Sequence, residues 1–277
     1  MEVKFTAADV KKLRDTTGAG MMDCKKALEE ANGDLQGAIE YLRKKGQKMS
    51  DKRADRDAKE GVVIALISDD ATKGIVVRVS CETDFVSKNA EFVGFVQNVA
   101  KAALAAFPAN VEQLLQIDFE GTTLANKLSD KTVAIGEKIE LAAYETLQAA
   151  QVVAYIHAGY RAGVIVGFNA AAEGLAESGR DVAMQVAAMH PVAVDKNEVS
   201  AETIEKEIEI AKELARNEGK KEELLEKIAQ GKLVAFYKEK TLLNQEFVKD
   251  SKMTVADYVK SIAKGLTVTA FKHVKLG

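Results

Sequence analysis

At 277 residues, 47% hydrophobic and 29% charged, the chain has the composition of a soluble globular protein with room for two or three domains and a sizeable core. Its formal net charge of -3 gives no global basic field, so no nucleic-acid partner is expected. Acidic or basic residues interrupt every apolar run before it reaches membrane-spanning length, so no membrane association is expected. Met1-Glu2-Val3-Lys4-Phe5 lacks a signal peptide's hydrophobic segment, and Cys24 and Cys81 lie too far apart in sequence to suggest a disulfide framework. The expected location is the cytoplasm.

The first fifty residues predict three short helices of about ten residues each. Thr6 and Asp9 form a capping-box start, with Val10 and Leu13 on one face. Gly18-Ala19-Gly20 breaks that helix. Cys24, Ala27, Leu28 and Ala31 repeat at helical spacing up to Asn32-Gly33, and Asp34 is placed to cap a third helix carrying Leu35, Ala38, Ile39 and Leu42. So small a bundle is a docking module (1–46) more readily than a catalyst. Residues 47–60 have no apolar periodicity and interleave Lys48, Lys52, Arg53, Arg56 and Lys59 with acids, which reads as a basic, solvated linker, either helical or extended.

From Gly61 the pattern changes. Val62–Ile67 and Ile75–Val79 flank a loop and predict a β-hairpin. Phe92, Phe95, Val96, Val99, Ala103 and Phe107 then mark one face of a helix, and a further helix is expected from Thr123 to about Glu137. Between hairpin and helix runs Cys81-Glu82-Thr83-Asp84-Phe85-Val86-Ser87-Lys88, so Phe85 sits on a strand-to-helix turn. Two readings stand: a staple folded back on its own helix, or a wedge held out for a partner's pocket beside an acid that hydrogen-bonds there.

Hairpin and helix recur. Ile139–Tyr144 is strand-like, Val152–His157 and Val164–Phe168 flank a turn, and a helix is expected from Ser178 to Met189 with Val182, Val186 and Met189 on one face. The expected fold class is α+β, with a first core subdomain at 61–138 and a second at 139–277, both built on antiparallel sheets. Residues 201–240 read as a charged antiparallel helical hairpin inserted in the second. Ile204, Ile208, Ala211 and Ala215 face Leu224, Leu225, Ile228, Leu233 and Phe236, and the hairpin either packs on the body or self-associates with another copy. A short helix capped by Thr254 and Asp257 and a strand over Leu266–Val274 complete the chain.

Enzymatic signatures are missing from the sequence. His157, His190 and His273 have no metal-ligand spacing, the cysteines form no CxxC, and no phosphate-binding glycine loop or nucleophile elbow is present. The expectation is a binding protein with no chemical step, no cofactor and no metal.

Leu13–Leu28, Val79–Lys88 and Tyr155–Val164 resemble three signature blocks of bacterial translation elongation factor Ts, and the resemblance extends from about Thr6 to Val274. It implies a ubiquitin-associated-like three-helix domain, a two-subdomain α+β core and an inserted coiled-coil hairpin. It also implies guanine-nucleotide exchange on elongation factor Tu, bound in its GDP and nucleotide-free forms. The implied roles fall on Asp84 and Phe85, which would enter the partner's GTPase domain and disturb its magnesium site, with Thr83 and Val86 shaping the turn. Arg14, Met21 and Met22 would dock on a helix of that domain, and His157 and Gly159 would face another domain. Arg78, Ser80 and Tyr160 depart from the family pattern, and the helical module that some members carry beyond the last strand is not expected in a chain ending at Gly277. The rival reading is a passive adaptor that recruits a partner through its three helices and keeps Phe85 as core.

Overall fold

Thr6 and Asp9 cap each other reciprocally at the start of α1 (Ala7–Thr17), and the left-handed Gly18 ends it by donating its N–H to the Arg14 carbonyl at 2.7 Å. The computed structural model describes residues 5–52 and 56–277. Helices α2 (Met21–Glu30) and α3 (Leu35–Lys52) follow, and Leu13, Cys24, Ala27, Leu28, Ala38 and Leu42 bury the predicted faces together. Helix α3 is longer than expected: it runs through the first part of the anticipated basic linker, while Arg53 of that linker lies outside the described residues. Near the predicted boundary, Lys45 bonds Asp23 of α2 at 2.5 Å.

Strands β1 (Glu60–Ile67) and β2 (Lys73–Cys81) form the predicted hairpin. Their near-continuous apolar runs do not alternate with polar residues because both faces are covered. Val62, Ile64, Ile75, Val77 and Val79 pack under the helix that carries Phe92, Val96 and Val99, whereas Val63, Ala65 and Val76 meet the second sheet. After β2 come the single-turn α4 (Asp84–Ser87), α5 (Ala90–Ala106), α6 (Val111–Leu115), the small pair β3 (Asp118–Phe119) and β4 (Thr122–Thr123), and α7 (Leu124–Ile135). Phe107 leaves the face predicted for α5: it caps the helix in a left-handed conformation, half-buried.

Strand β5 (Glu140–Gln148) pairs antiparallel with β2, giving the order β1-β2-β5. The first sheet thus runs past the boundary expected at 138, because this strand finds its hydrogen-bond partners in the first hairpin and not in the second. Strands β6 (Gln151–Ile156) and β7 (Ala162–Phe168) form the second hairpin, followed by α8 (Leu175–Met189). Met189, predicted on the buried face of α8, is exposed at its last turn.

Helices α9 (Ala201–Asn217) and α10 (Glu222–Lys240) make the antiparallel hairpin. Its seam holds Ala211, Ala215, Leu225, Ala229 and Leu233, while Leu224 faces solvent. Strands β8 (Glu246–Phe247) and β9 (Asp250–Thr254), helix α11 (Val255–Ile262) and β10 (Val268–Lys275) finish the chain. Strand β10 pairs with β7, so the second sheet, in the order β10-β7-β6, repeats the topology of the first. Eleven helices and small antiparallel sheets thus make up the described residues. None of those helices is long and apolar enough to cross a membrane.

Candidate functional site

The site begins where β1 and β2 close against each other. A Cβ at Gly61 would stand 2.4 Å from the Val79 carbonyl, so only glycine lets β1 pass this point beside Ser80. Cys81 ends the strand fully buried, and burial first, then the nearby carboxylates of Glu137 and Glu60, push its thiol up to about 12. It stays a thiol and bonds the Thr83 carbonyl at 3.2 Å.

Thr83 stands at the N-cap position of α4 without capping it through its side chain. Its hydroxyl instead bonds Glu137 Oε1 at 2.6 Å, while Glu137 Oε2 accepts the N–H groups of Glu82 and Thr83 at 3.1 and 3.0 Å. Asp84 pairs with Lys88 one turn on at 2.7 Å, and that ammonium holds its carboxyl below the usual carboxylate range. Phe85 is 86% exposed, and Val86 packs against the first core. The staple is Val86; Phe85 points out.

Phe85 forms a ridge between two clefts. One, of about 630 Å³, has Asp15, Thr17 and Gly18 on its far wall and Val86, Phe92 and Lys131 on the near one. The other, of about 520 Å³, joins Thr83, Asp84 and Phe85 to Glu60, Gly159 and Arg161. Two of the three signature blocks therefore share walls with the turn that carries Phe85. Arg14, Met21, Met22 and His157 lie outside both linings.

Arg14 is exposed in the last turn of α1, and Met21 and Met22 are 52% and 74% exposed in the first turn of α2. The Gly18–Gly20 loop sets both on one end of the bundle, and Gly18 itself abuts Ala134 of α7. His157 is exposed, its Nδ1 3.0 Å from the Tyr155 hydroxyl. The following turn has two left-handed residues in succession, Gly159 and Tyr160. Tyr160 tolerates that conformation because its ring is packed against the first core, which fastens the second hairpin's tip beside α4. Of the other departures, Arg78 bonds the Lys275 carbonyl at 2.7 Å and ties the two sheets together, while Ser80 is buried in β2; neither side chain reaches the turn by a hydrogen bond. Among the described residues, no group of three or more His, Cys, Asp or Glu is arranged to hold a metal ion.

The Elongation factor TS family model matches residues 82–277. The chain belongs to the elongation factor Ts family. An Elongation factor Ts of Christiangramia forsetii is 52% identical over 274 residues, covering 99% of each chain. Those of Flavobacterium psychrophilum and Amoebophilus asiaticus are 52% and 50% identical over 273 and 274 residues, again covering 99% of both chains. As a member of the elongation factor Ts family, the protein is an elongation factor of protein biosynthesis. The residue that sequence reasoning missed is Glu137. It sits in a helix-to-strand connection with no motif around it, and only the fold brings it beneath the turn.

Proposed function

We propose that this chain is the guanine-nucleotide exchange factor of elongation factor Tu, with α4 as the element that enters the partner. The exposure of Phe85 carries the reading. An aromatic ring left in water at the tip of a side-chain-braced turn gains about 1.5–3 kcal/mol when a partner's pocket buries it, enough for a ten- to hundredfold change in affinity. A carboxylate beside it supplies the polar contact, and the Lys88 ammonium favours its ionised form. In this reading Asp84 and Phe85 disturb the partner's magnesium and phosphate site, with Thr83 and Val86 holding the turn's shape. Loss of that cation leaves phosphate charge uncompensated, which favours GDP release. A factor that binds the nucleotide-free partner more tightly than its GDP form must weaken GDP by the same ratio. No covalent step is needed.

The three helices serve as a ubiquitin-associated-like docking domain through Arg14, Met21 and Met22, whose flexible thioethers suit a partner-facing patch. Two α+β subdomains form the core, divided after Gln148, and His157 and Gly159 meet a second domain of the partner. The α9–α10 hairpin is a coiled-coil insertion. The test is GDP release from purified elongation factor Tu: the full chain accelerates it at substoichiometric amounts. Release at the unassisted rate, with a complex still formed, would make the protein an adaptor and overturn the reading.

A further inference from the structure

The turn that carries Phe85 is held only in part by its own residues, the Asp84–Lys88 pair and the inward-packed Val86. Helix α4 is four residues long, far below the length at which a helix is stable alone, and no side chain caps its N-terminus. Its start is fixed from 54 residues further along the chain, where Glu137 follows the left-handed Gly136 that ends α7. One carboxylate takes three hydrogen bonds from the turn: two backbone N–H groups and the Thr83 hydroxyl. The tie is reciprocal, because Glu82 Oε1 accepts the Lys138 N–H at 2.7 Å and its other oxygen pairs with Arg56. Charge-assisted bonds of this kind are about twice as strong as neutral ones, and here they fall on the residues immediately before Asp84.

The other flank of α7 is anchored in the three-helix unit. Val133 belongs to that unit's core, the Ser129 hydroxyl bonds the Arg43 carbonyl at 3.3 Å, and Arg43 Nε lies 3.5 Å from Asp130. A single helix therefore meets the three-helix unit through Ser129, Asp130 and Val133, and the wedge turn at its exit. We infer that Glu137 is a positioning residue for the exchange reaction: through its bonds to Glu82 and Thr83 it fixes the direction in which α4 presents Asp84 and Phe85, with α7 as the strut that relates this direction to the docking surface. The inference rests on the reading of α4 as the element that enters the partner. Its physical content is pre-organisation, since a turn that frays in the free protein must be ordered at the moment of binding, and that cost is taken from the interaction.

Two measurements on the full chain test it, using Glu137→Ala, Glu137→Gln, Phe85→Ala and the Glu137→Ala/Phe85→Ala double variant. Amide hydrogen exchange of the free protein reads the positioning directly. In Glu137→Ala the Glu82 and Thr83 amides exchange about tenfold faster or more, while Val76 and Val77 of β2 keep their protection. Glu137→Gln, which keeps a carbonyl acceptor, retains most of the protection. Unchanged exchange at Glu82 and Thr83 overturns the inference, and so does a loss spread through β2, which would make Glu137 a general stabiliser. GDP release from elongation factor Tu reads the consequence. Glu137→Ala slows catalysed release about tenfold, Glu137→Gln less, and in the Phe85→Ala background removal of Glu137 costs only about threefold, the share carried by Asp84, because the ring it aims is gone. A further tenfold loss in that background overturns the positioning role. If the amides respond as expected while Phe85→Ala and Glu137→Ala both release GDP at the wild-type rate, the brace stands and the assignment of Phe85 to the partner falls.

Discussion

The two hairpins leave their sheets by different routes, and the routes treat a phenylalanine in opposite ways. In the second, Phe168 ends β7 fully buried, with Gly179 of α8 so close that a Cβ there would meet the ring at 3.1 Å. Residues 169–174 then cross to α8, held by Asn169, whose side chain bonds the Gly265 carbonyl and the Thr267 N–H. In the first, the crossing takes residues 82–89, inserts α4 and holds Phe85 out in water. The strand order and the helix that follows each hairpin are the same, so topology does not require the longer crossing. The added turn, its brace and its exposed ring are therefore not demanded by the topology, and the proposed function places recognition on them.

The contrast is sharpest when the same change is made in both places. Phe168→Ala removes a buried ring and should cost about 3–5 kcal/mol, read as a large drop in the urea midpoint. Phe85→Ala should leave stability within about ±0.5 kcal/mol and take roughly 1.5–3 kcal/mol from the exchange reaction, so catalysed GDP release slows about ten- to hundredfold. On the proposed reading, in which the wedge acts on the partner's metal site, chelating magnesium should narrow that gap. A Phe85→Ala protein that melts early, or that exchanges like wild type, would erase the difference between the two crossings.

Much of this comparison was legible in the sequence, and the limits have physical causes. Capping pairs such as Thr6/Asp9 and Thr254/Asp257 are local, so both helix starts could be read directly. The β-branched hairpins could be read for the same reason. The partner of β5 could not, because a strand's apolar residues do not name which edge it joins. The end of α3 could not be placed, because a solvated run of charge reads as tether whether or not it is helical, and the helix runs on to Lys52. Around Phe85 the residues of the turn were visible and the orientation of the ring was not: Val86, one position on, is equally apolar and is the one that packs inward. Glu137 carried no signal, since its three bonds exist only once the exits of α7 and β2 meet.

Docking should separate from the wedge. Met21→Ala with Met22→Ala removes two exposed side chains, so the free protein should unfold as before. Complex formation with elongation factor Tu should weaken by roughly 1–2 kcal/mol, about tenfold, measured by calorimetry. A melted three-helix unit with undiminished binding would show instead that these methionines serve the fold.

The second unit carries a pH dependence that the first lacks. His273 on β10 stacks on His190, which caps α8, with ring centroids 5.1 Å apart, and its buried Nε2 has no hydrogen-bond partner. Burial, then His190 and Lys275, push His273 down to about 4, and burial with Lys275 and Lys240 also lowers His190. Unfolded, each titrates near 6.5. Between those values the unfolded chain binds more protons, so the stability is fully present above about pH 6.5 and is lost as pH falls toward 4. The loss should be on the order of 1 kcal/mol, less than the full shift because the rings are only partly out of water. His273→Gln should flatten the urea midpoint between pH 7 and pH 5; an unchanged slope would remove the pair as its source.

The smallest effect is expected from the largest excision. The α9–α10 hairpin keeps its buried residues to its own seam, and Ile210, Leu214 and Val234 on it face solvent. Its root is different: the Lys240 and Glu239 carbonyls accept bonds from Val192 and Gln245, and Thr241 bridges Ala193. Cutting through residue 240 would therefore damage the second unit itself. The pairs Arg216–Glu222 and Lys212–Glu226 set a register in which residue 204 faces residue 234, so removing 205–233 with a short Gly-Ser bridge joins ends that already lie side by side. None of the turn's bonds, neither cleft beside Phe85 and none of the three signature blocks is touched. Catalysed GDP release should stay within about threefold of wild type, under roughly 1 kcal/mol. A well-folded excision variant that no longer exchanges nucleotide would move part of the recognition machinery out of the first crossing and into the insertion.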